Sequence, residues 1–205
     1  MPDFFHNRSD ARELIATLAV EKGLPPAAAE KDYWVMHCLW GLQQNGFSFE
    51  MKGGTSLSKG WNLIERFSED IDIRFESPPK LNTRGDKPSH IQARFAFFND
   101  LAERIKVPDI VVERNKAFDD ERARNGGISL KYASHFEPFP GLRPEILLEV
   151  GFTRTVPNEP RDISSWVLEK SRAAGLQATD NRAPAVKCFN PEYTFVDKIQ
   201  TICRR

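Results

Sequence analysis

Residues 52–75 read KGGTSLSKGWNLIERFSEDIDIRF, and they contain the pattern from which the fold can be predicted. Before them, residues 47–51 alternate apolar and polar side chains, which is typical of a half-buried strand. The pair Gly53-Gly54 then predicts a turn, and the apolar spacing over 55–64 predicts a helical stretch. Strict alternation returns over 70–75, where a second strand is expected. The order strand, glycine turn, helix and strand indicates a mixed α/β core.

The second strand carries two carboxylates on one face. Asp70 and Asp72 stand at positions i and i+2, so both project to the same side, roughly 6–7 Å apart at Cα. That separation lets both reach one or two Mg²⁺ ions, and Mg²⁺ prefers carboxylate and phosphate oxygens. Two like charges side by side are costly to bury without a cation. We therefore predict that Asp70 and Asp72 are metal ligands.

The glycine pair provides the other half of a candidate site. Gly53 and Gly54 allow the backbone to approach a ligand closely, and the N-terminus of the next helix favours a phosphate group. Thr55 and Ser56 add hydroxyl donors. Taken alone, a glycine pair is usually a turn and an Asp-x-Asp pair is usually a solvated strand face. Their combination, one helix apart, is what nucleotidyl transfer with two metal ions requires.

The rest of the chain is predicted to alternate helices and strands, with most strands between residues 47 and 152. We expect one domain over 1–205, with an N-terminal helical pair in 1–46, a catalytic sheet core in 47–152 and a C-terminal segment in 153–205. The patterns predict helices from Ser9 or Asp10 to Gly23, from Pro25 or Pro26 to Gln44, over 89–105 and 163–174, and from a cap at Asn190 to the C-terminus. They also predict strands over 109–114, 127–133, 145–152 and 185–189, and a mobile surface loop over 76–88.

Composition excludes several classes of protein. The 205 residues contain 29 Lys+Arg and 29 Asp+Glu, so a uniformly basic nucleic-acid binder is excluded, although a local basic patch is not. Three cysteines without a Cys-x-x-Cys pair argue against a disulfide scaffold or a structural zinc site. The four histidines have no metal-ligand spacing, and His37 is expected to pack within a helix. No apolar run is long enough for a membrane span, so we expect a cytoplasmic protein without membrane contact.

The motif resembles the nucleotidyltransferase superfamily signature and, more closely, the AbiEii/AbiGii family of bacterial nucleotidyltransferase toxins, a branch that includes the MenT toxins. That family carries Gly-Gly-Thr-x-Leu, then seven or eight residues, then Arg-x-Ser-x-Asp-h-Asp, where h is apolar. Here residues 53–57 are followed by eight residues and then by 66–72. Residues 30–35, 163–165 and 191–198 resemble further family landmarks. The resemblance implies a nucleotidyltransferase fold, a twisted mixed sheet flanked by helices.

The resemblance also assigns roles to single residues. It implies that Asp70 and Asp72 bind the metal and that the triphosphate is held by Gly53, Gly54, Thr55 and Ser56. Ser68 matches the family serine beside the metal site. Arg66 would contact phosphate or brace the motif, with a salt bridge to Glu65 or Glu69 as the equal alternative. Lys198 matches a family lysine that binds the triphosphate, with a solvated helix lysine as the alternative.

A third carboxylate completes the metal triad of this superfamily, and the strand over 145–150 offers two candidates. Glu145 and Glu149 have the same parity, so they project to one face. We favour Glu149, because it interrupts an apolar run in which an unpaired charge is costly and a metal would explain its burial. A buried ion pair is the alternative, and Lys131 on the neighbouring strand could supply it or touch phosphate.

The resemblance implies Mg²⁺-dependent transfer of a nucleoside monophosphate from an NTP to an acceptor such as the 3′ end of tRNA. It also implies a cognate antitoxin and a role in toxin–antitoxin or abortive-infection systems. Transfer to a protein or a small molecule, or an inactive nucleotide-binding or partner-binding module, are the alternatives. Family members continue beyond the third motif, so we expect this chain to be truncated relative to them. Lys116, Arg122 and Arg124 could contact RNA phosphate, but the acids at 119–121 favour a plain hairpin loop.

Overall fold

The computed structural model describes residues 2–64 and 68–203. Its helical elements are α1 (Ala11–Lys22), α2 (Pro26–Gln44), α3 (Gly53–Thr55), α4 (Pro88–Arg104), α5 (Trp166–Ala173) and α6 (Pro191–Cys203). A π-helical stretch over Ser56–Gly60 continues α3, and short 3₁₀ turns cover Phe5–Asn7 and Lys116–Phe118. The strands are β1 (Phe49–Lys52), β2 (Asp70–Phe75), β3 (Ile110–Asn115), β4 (Asn125–Tyr132), β5 (Ile146–Gly151), β6 (Asn158–Ile163) and β7 (Ala183–Phe189).

The seven strands form one mixed sheet in the order β3-β4-β5-β2-β1-β7-β6. The pairs β2–β5 and β1–β7 are parallel, and the other neighbours are antiparallel. The central position of β2 between β1 and β5 brings the glycine turn, the Asp-x-Asp strand and the predicted third-carboxylate strand side by side.

The alternation in β2 has the expected structural consequence. Ile71 and Ile73 are fully buried and Phe75 is almost so, whereas Asp70, Asp72 and Arg74 on the opposite face are half-buried. The apolar face of β2 therefore joins the core, and its polar face is left for a site.

Helix α2 lies inside the molecule and is buried along most of its length. Tyr33 and Trp34 fill the core, and three charged residues on the same helix are buried as well: Glu30, Lys31 and Asp32. Each of these charges has a partner from another part of the chain, as burial of a charge demands. His37 packs in this helix as predicted, and it contacts the carbonyl of Pro108 at 2.9 Å and Asn181 at 2.8 Å.

Two sequence predictions need correction. Strand β6 was missed, and with β7 it places two strands after residue 152, so the C-terminal segment contributes to the sheet. Its Pro160 argues against a strand by sequence, but β6 is an edge strand, where the missing N–H is tolerated. The helical stretch after the glycine pair was predicted over 55–64, but it ends at Gly60.

Cys38 and Cys188 are buried free thiols, and Cys203 is an exposed one. Within the described part of the chain, no helix is both long and apolar enough to pass through a bilayer.

Candidate active site

Two of the predicted carboxylates meet across neighbouring strands. Asp72 on β2 and Glu149 on β5 are direct register partners, and their side chains share a hydrogen bond. Burial, followed by the negative charge of Asp72, raises the pKa of Glu149 to about 7, while the Lys52 ammonium opposes this shift. Lys52 is the register partner of Asp72 on its other side, in β1. Burial and the neighbouring carboxylate of Asp72 therefore favour the protonated form of Glu149.

Asp70, the other predicted metal ligand on β2, has a cationic partner from the protein itself. Arg143 donates from Nη1 to Oδ1 of Asp70 at 2.7 Å, and its backbone N–H donates to Glu69 at 3.1 Å. The guanidinium also lies 4.9 Å from the ring centre of Phe118. Burial raises the pKa of Asp70, and the charge of Arg143 works against that rise. Arg143 was not predicted, because it lies between strands where no periodic pattern marks it.

The three carboxylates do not form a closed triad in this arrangement. Within residues 2–64 and 68–203, no three His, Cys, Asp or Glu side chains are assembled to hold a metal ion. Instead, Asp70 binds Arg143, whereas Asp72 and Glu149 bind each other. The donor set nevertheless fits a divalent cation: a cation can replace the proton of the Asp72–Glu149 pair, and every donor is the oxygen that Mg²⁺ prefers.

Gly53 lies directly against this carboxylate pair. Its φ is +70°, a conformation that favours glycine. A Cβ at this position would overlap Oδ2 of Asp72 and lie 2.9 Å from its Cγ. The group that approaches the backbone at Gly53 is thus the carboxylate of Asp72, and the approach of a ligand to this turn stays a prediction.

The three predicted hydroxyl groups are buried and bind within the protein. Thr55 Oγ1 donates to the backbone carbonyl of Asp70, and Ser56 Oγ donates to the carbonyl of Phe189 at 3.4 Å. Ser68 Oγ lies 2.8 Å from Ser58 Oγ. In this arrangement these side chains brace the glycine turn and the start of β2, and their contact with phosphate stays a prediction. Arg66 lies outside the described residues.

Lys198 on α6 lies on the same cavity as the glycine turn. The cavity has a volume of about 420 Å³, and its lining includes Lys52, Gly53, Asp72, Thr153 and Lys198. Folding therefore brings Lys198 to the predicted phosphate turn and to one of the carboxylates. Lys52 was not predicted, although its position directly before the glycine pair is a usable signal.

A buried ion pair holds the π-helical stretch against α2. Lys59 Nζ lies 2.6 Å from Oδ1 of Asp32, and the other oxygen of Asp32 accepts the backbone N–H of Trp166 at 2.9 Å. Nearby, buried Lys31 donates to the carbonyl of Arg143 at 2.8 Å and lies 3.7 Å from Glu69. The sequence signal for these contacts was the presence of the charged residues Lys31 and Asp32 in the largely apolar helix α2.

Several other candidates have partners away from the carboxylates. Lys131 pairs with Glu113 on β3 at 2.5 Å, so it is not the ion-pair partner of Glu149. Glu145 precedes β5 and lies 3.4 Å from Ser129 Oγ, whereas Glu149 is opposite Asp72. Among the hairpin cations, Arg122 and Arg124 both contact Asp86.

The family model described as nucleotidyl transferase AbiEii toxin, type IV toxin–antitoxin system, matches residues 39–205. This chain belongs to the AbiEii family. The match includes the glycine turn, the Asp-x-Asp strand, Glu149 and Lys198. The family resemblance expected from the sequence is therefore confirmed, and the family is one of nucleotidyl transferase toxins.

Solved structures with a similar fold include MenT4, a nucleotidyltransferase toxin from Mycobacterium tuberculosis, with a TM-score of 0.57 and 20% identity. The similarity covers 92% of this AbiEii chain and 57% of MenT4. JHP933 from Helicobacter pylori has a TM-score of 0.45 and 15% identity, with coverage of 83% of this chain and 55% of that protein. The chain thus spans little more than half the length of either protein. None of the curated protein sequences is significantly similar to it. The predicted α/β nucleotidyltransferase fold is confirmed.

Proposed function

We propose that this chain transfers a nucleoside monophosphate from an NTP to an RNA acceptor, such as the 3′ end of tRNA, as the toxin of a toxin–antitoxin system. The observation that carries the proposal is the contact between Asp72 and Glu149 directly beside the turn at Gly53. A half-buried carboxylate pair next to a glycine turn provides one position for a cation and an adjacent one for the phosphates that the cation binds.

The triphosphate would lie in the cavity that contains Gly53 and Lys198. The cavity is lined by two ammonium groups, Lys52 and Lys198, and by the carboxylates of Asp72 and Asp197. With a cation bound at Asp72, the two lysines would favour the β- and γ-phosphates and the departing pyrophosphate. Asp72 and Glu149, joined by Asp70, would hold Mg²⁺, which when bound supplies positive charge to the reacting oxygens. The acceptor hydroxyl forms a bond to the α-phosphorus and loses its proton to solvent, while the bond from that phosphorus to the β-phosphate oxygen breaks.

Asp70 must change partner for this chemistry. Its contact with Arg143 occupies one carboxylate oxygen, so Arg143 must be released before both oxygens are available to a cation. A guanidinium released near the site would be free to bind a phosphate group of the substrate. Arg143 would then serve as a positioning residue in the resting protein and as a phosphate ligand in the loaded one.

Partners follow from the family. We propose a cognate antitoxin, because the family is one of type IV toxin–antitoxin systems. We also place the protein in the cytoplasm, where NTPs and tRNA are both present.

The test is a transfer assay with each of the four α-³²P-labelled NTPs, MgCl₂ and a mixture of tRNA, protein and small hydroxyl compounds. We expect the label on RNA, and a loss of at least 100-fold in the Asp72→Asn variant, which keeps the side-chain volume but removes the charge. Asp100→Asn on the exposed surface of α4 is the matched control and should transfer normally. Circular dichroism of both variants shows whether the fold is intact.

Other results would change the proposal. Undiminished transfer by Asp72→Asn would contradict the site assignment. Label on protein or on a small molecule would replace the acceptor. Tight binding of NTP with Mg²⁺ in calorimetry, without any transfer, would make the chain an inactive nucleotide-binding module.

A further inference from the structure

A second cavity is lined by four arginines. Its volume is about 780 Å³, and we call it the arginine groove. Arg74 comes from β2, Arg84 from the loop before α4, Arg124 from the residue before β4, and Arg154 from the segment after β5. No carboxylate is among its described lining residues. Although the chain has zero net charge, four of its segments each place a guanidinium group in this groove.

The arginine groove begins next to the candidate active site. Arg74 follows Asp72 by two positions on the same face of β2, roughly 6–7 Å along the strand. Its register partners are Glu50 and Gly151, in the row next to the one that contains Asp72 and Glu149. Thr153 lines both the arginine groove and the cavity at Gly53. A molecule in the groove would therefore reach the carboxylates.

Only part of the positive charge in the groove is neutralised within the protein. Arg74 contacts Glu50 at 3.1 Å, and Arg124 contacts Asp86 at 3.0 Å in an exposed pair. Within the described ranges 2–64 and 68–203, neither Arg84 nor Arg154 forms a salt bridge. Both of these side chains are exposed. An exposed pair such as Arg124–Asp86 is weak, so its guanidinium can exchange partners at little cost.

We propose that the arginine groove binds backbone phosphates of a single-stranded RNA acceptor and leads its 3′ end to the carboxylates. Guanidinium groups form paired hydrogen bonds with phosphate oxygens, and several of them spread over one groove match a ligand with repeated phosphates. The NTP already has a candidate position at Gly53 and Lys198, which leaves the arginine groove for the second substrate. The inference rests on the proposed function for the identity of that substrate.

The double variant Arg84→Ala/Arg154→Ala tests this inference, because it removes the two groove cations that form no salt bridge with any described carboxylate. Its binding to a fluorescein-labelled single-stranded RNA 12-mer is measured by anisotropy between 50 and 300 mM KCl. Each lost phosphate contact should reduce the slope of log K against log salt by about 0.7, so a total reduction of about 1.4 is expected. The affinity at 100 mM KCl should fall by roughly tenfold or more.

The matched control is Arg104→Ala/Arg172→Ala, which removes the same charge from exposed positions on α4 and α5. Its salt slope should equal that of the wild type. Binding of NTP, measured by calorimetry, should be unchanged in both double variants.

An unchanged salt slope in Arg84→Ala/Arg154→Ala would overturn the inference. So would a parallel loss of NTP binding, because the groove would then hold the triphosphate. The proposed function is tested separately. If Asp72→Asn still transfers label, the assignment of the active site is wrong. A reduced salt slope in Arg84→Ala/Arg154→Ala would still assign RNA binding to the arginine groove.

Discussion

Arg143 donates a 2.7 Å hydrogen bond to Asp70, although 73 residues separate them in the chain. The guanidinium thereby occupies one oxygen of a carboxylate that belongs to the predicted metal site. This contact explains how a face with three acidic side chains is stable before a cation binds. It also means that cation binding and the Arg143–Asp70 pair compete.

The competition predicts the behaviour of Arg143→Gln. Without divalent cations, loss of this partly exposed pair should cost about 1 kcal/mol, which lowers Tm by roughly 2–4 °C for a chain of this size. In 10 mM MgCl₂ the deficit should shrink, because the cation no longer competes with the guanidinium. Differential scanning calorimetry in EDTA and in MgCl₂ measures both values.

The control for Arg143→Gln is Arg172→Gln, which breaks the exposed contact with Asp180 away from the site. Its Tm should respond to MgCl₂ as the wild type does. An equal deficit of Arg143→Gln in EDTA and in MgCl₂ would show that Asp70 does not bind the cation.

Gly53→Ala should damage the site more than backbone strain alone explains. The new Cβ would overlap the carboxylate of Asp72 and must displace it. Gly175→Ala is the matched control, because Gly175 has a φ of +72° but nothing lies within 4 Å of its Cβ position. The control should lose about 1 kcal/mol from left-handed backbone strain and keep its activity.

We expect Gly53→Ala to lose more stability than Gly175→Ala in urea unfolding and at least tenfold in nucleotide transfer. Equal stability losses and full activity in both variants would mean that Asp72 can move aside freely. The close approach at Gly53 would then have no functional consequence.

The raised pKa of Glu149 predicts that the free energy of unfolding falls as the pH rises. Its folded-state pKa of about 7 lies above the ordinary value of 4.5, so the folded protein holds this proton more tightly than the unfolded chain does. Its contribution to stability is therefore present below pH 4.5 and is lost as the pH rises through about 7. Discounted for partial exposure, the loss is on the order of 1 kcal/mol.

The variant Glu149→Gln isolates this effect from other titrating groups. Buried His37 changes stability in the opposite direction, because burial lowers its pKa to about 4 and its protonation opposes folding in acid. In EDTA at pH 8, Glu149→Gln should be more stable than the wild type, and the difference should disappear near pH 5. Urea titrations across this pH range measure it, and a constant difference would contradict the raised pKa of Glu149.

The buried pair of Asp32 and Lys59 should be energetically coupled. The Asp32 side chain is 1% exposed and that of Lys59 is 8% exposed, so removal of one charge leaves the other without its partner in a buried position. Asp32→Asn should cost roughly 3–5 kcal/mol. The double variant Asp32→Asn/Lys59→Met should cost less than the sum of the single variants, by about 1–3 kcal/mol in a double-mutant cycle. Additive losses would show that the pair does not hold the π-helical stretch in place.

Short-range patterns determined much of this protein. Alternation over six residues was enough to predict β2 and its buried face, and the glycine pair was enough to predict the turn that follows β1. Both features depend on neighbouring residues, so they can be read without the rest of the chain. The missed strand β6 has the opposite cause: its Pro160 is tolerated only because the tertiary structure places that strand at an edge.

Tertiary structure alone decided which charges meet. The sequence identified Asp70, Asp72 and Glu149 as acidic groups of one predicted site, but the register of β2 against β5 set the contact between Asp72 and Glu149. Folding also places Arg143 beside Asp70 and brings four arginines together in one groove, although these residues share no sequence pattern. The physical reason is that electrostatic contacts depend on distance in space, and strand order and register convert distant sequence positions into neighbours.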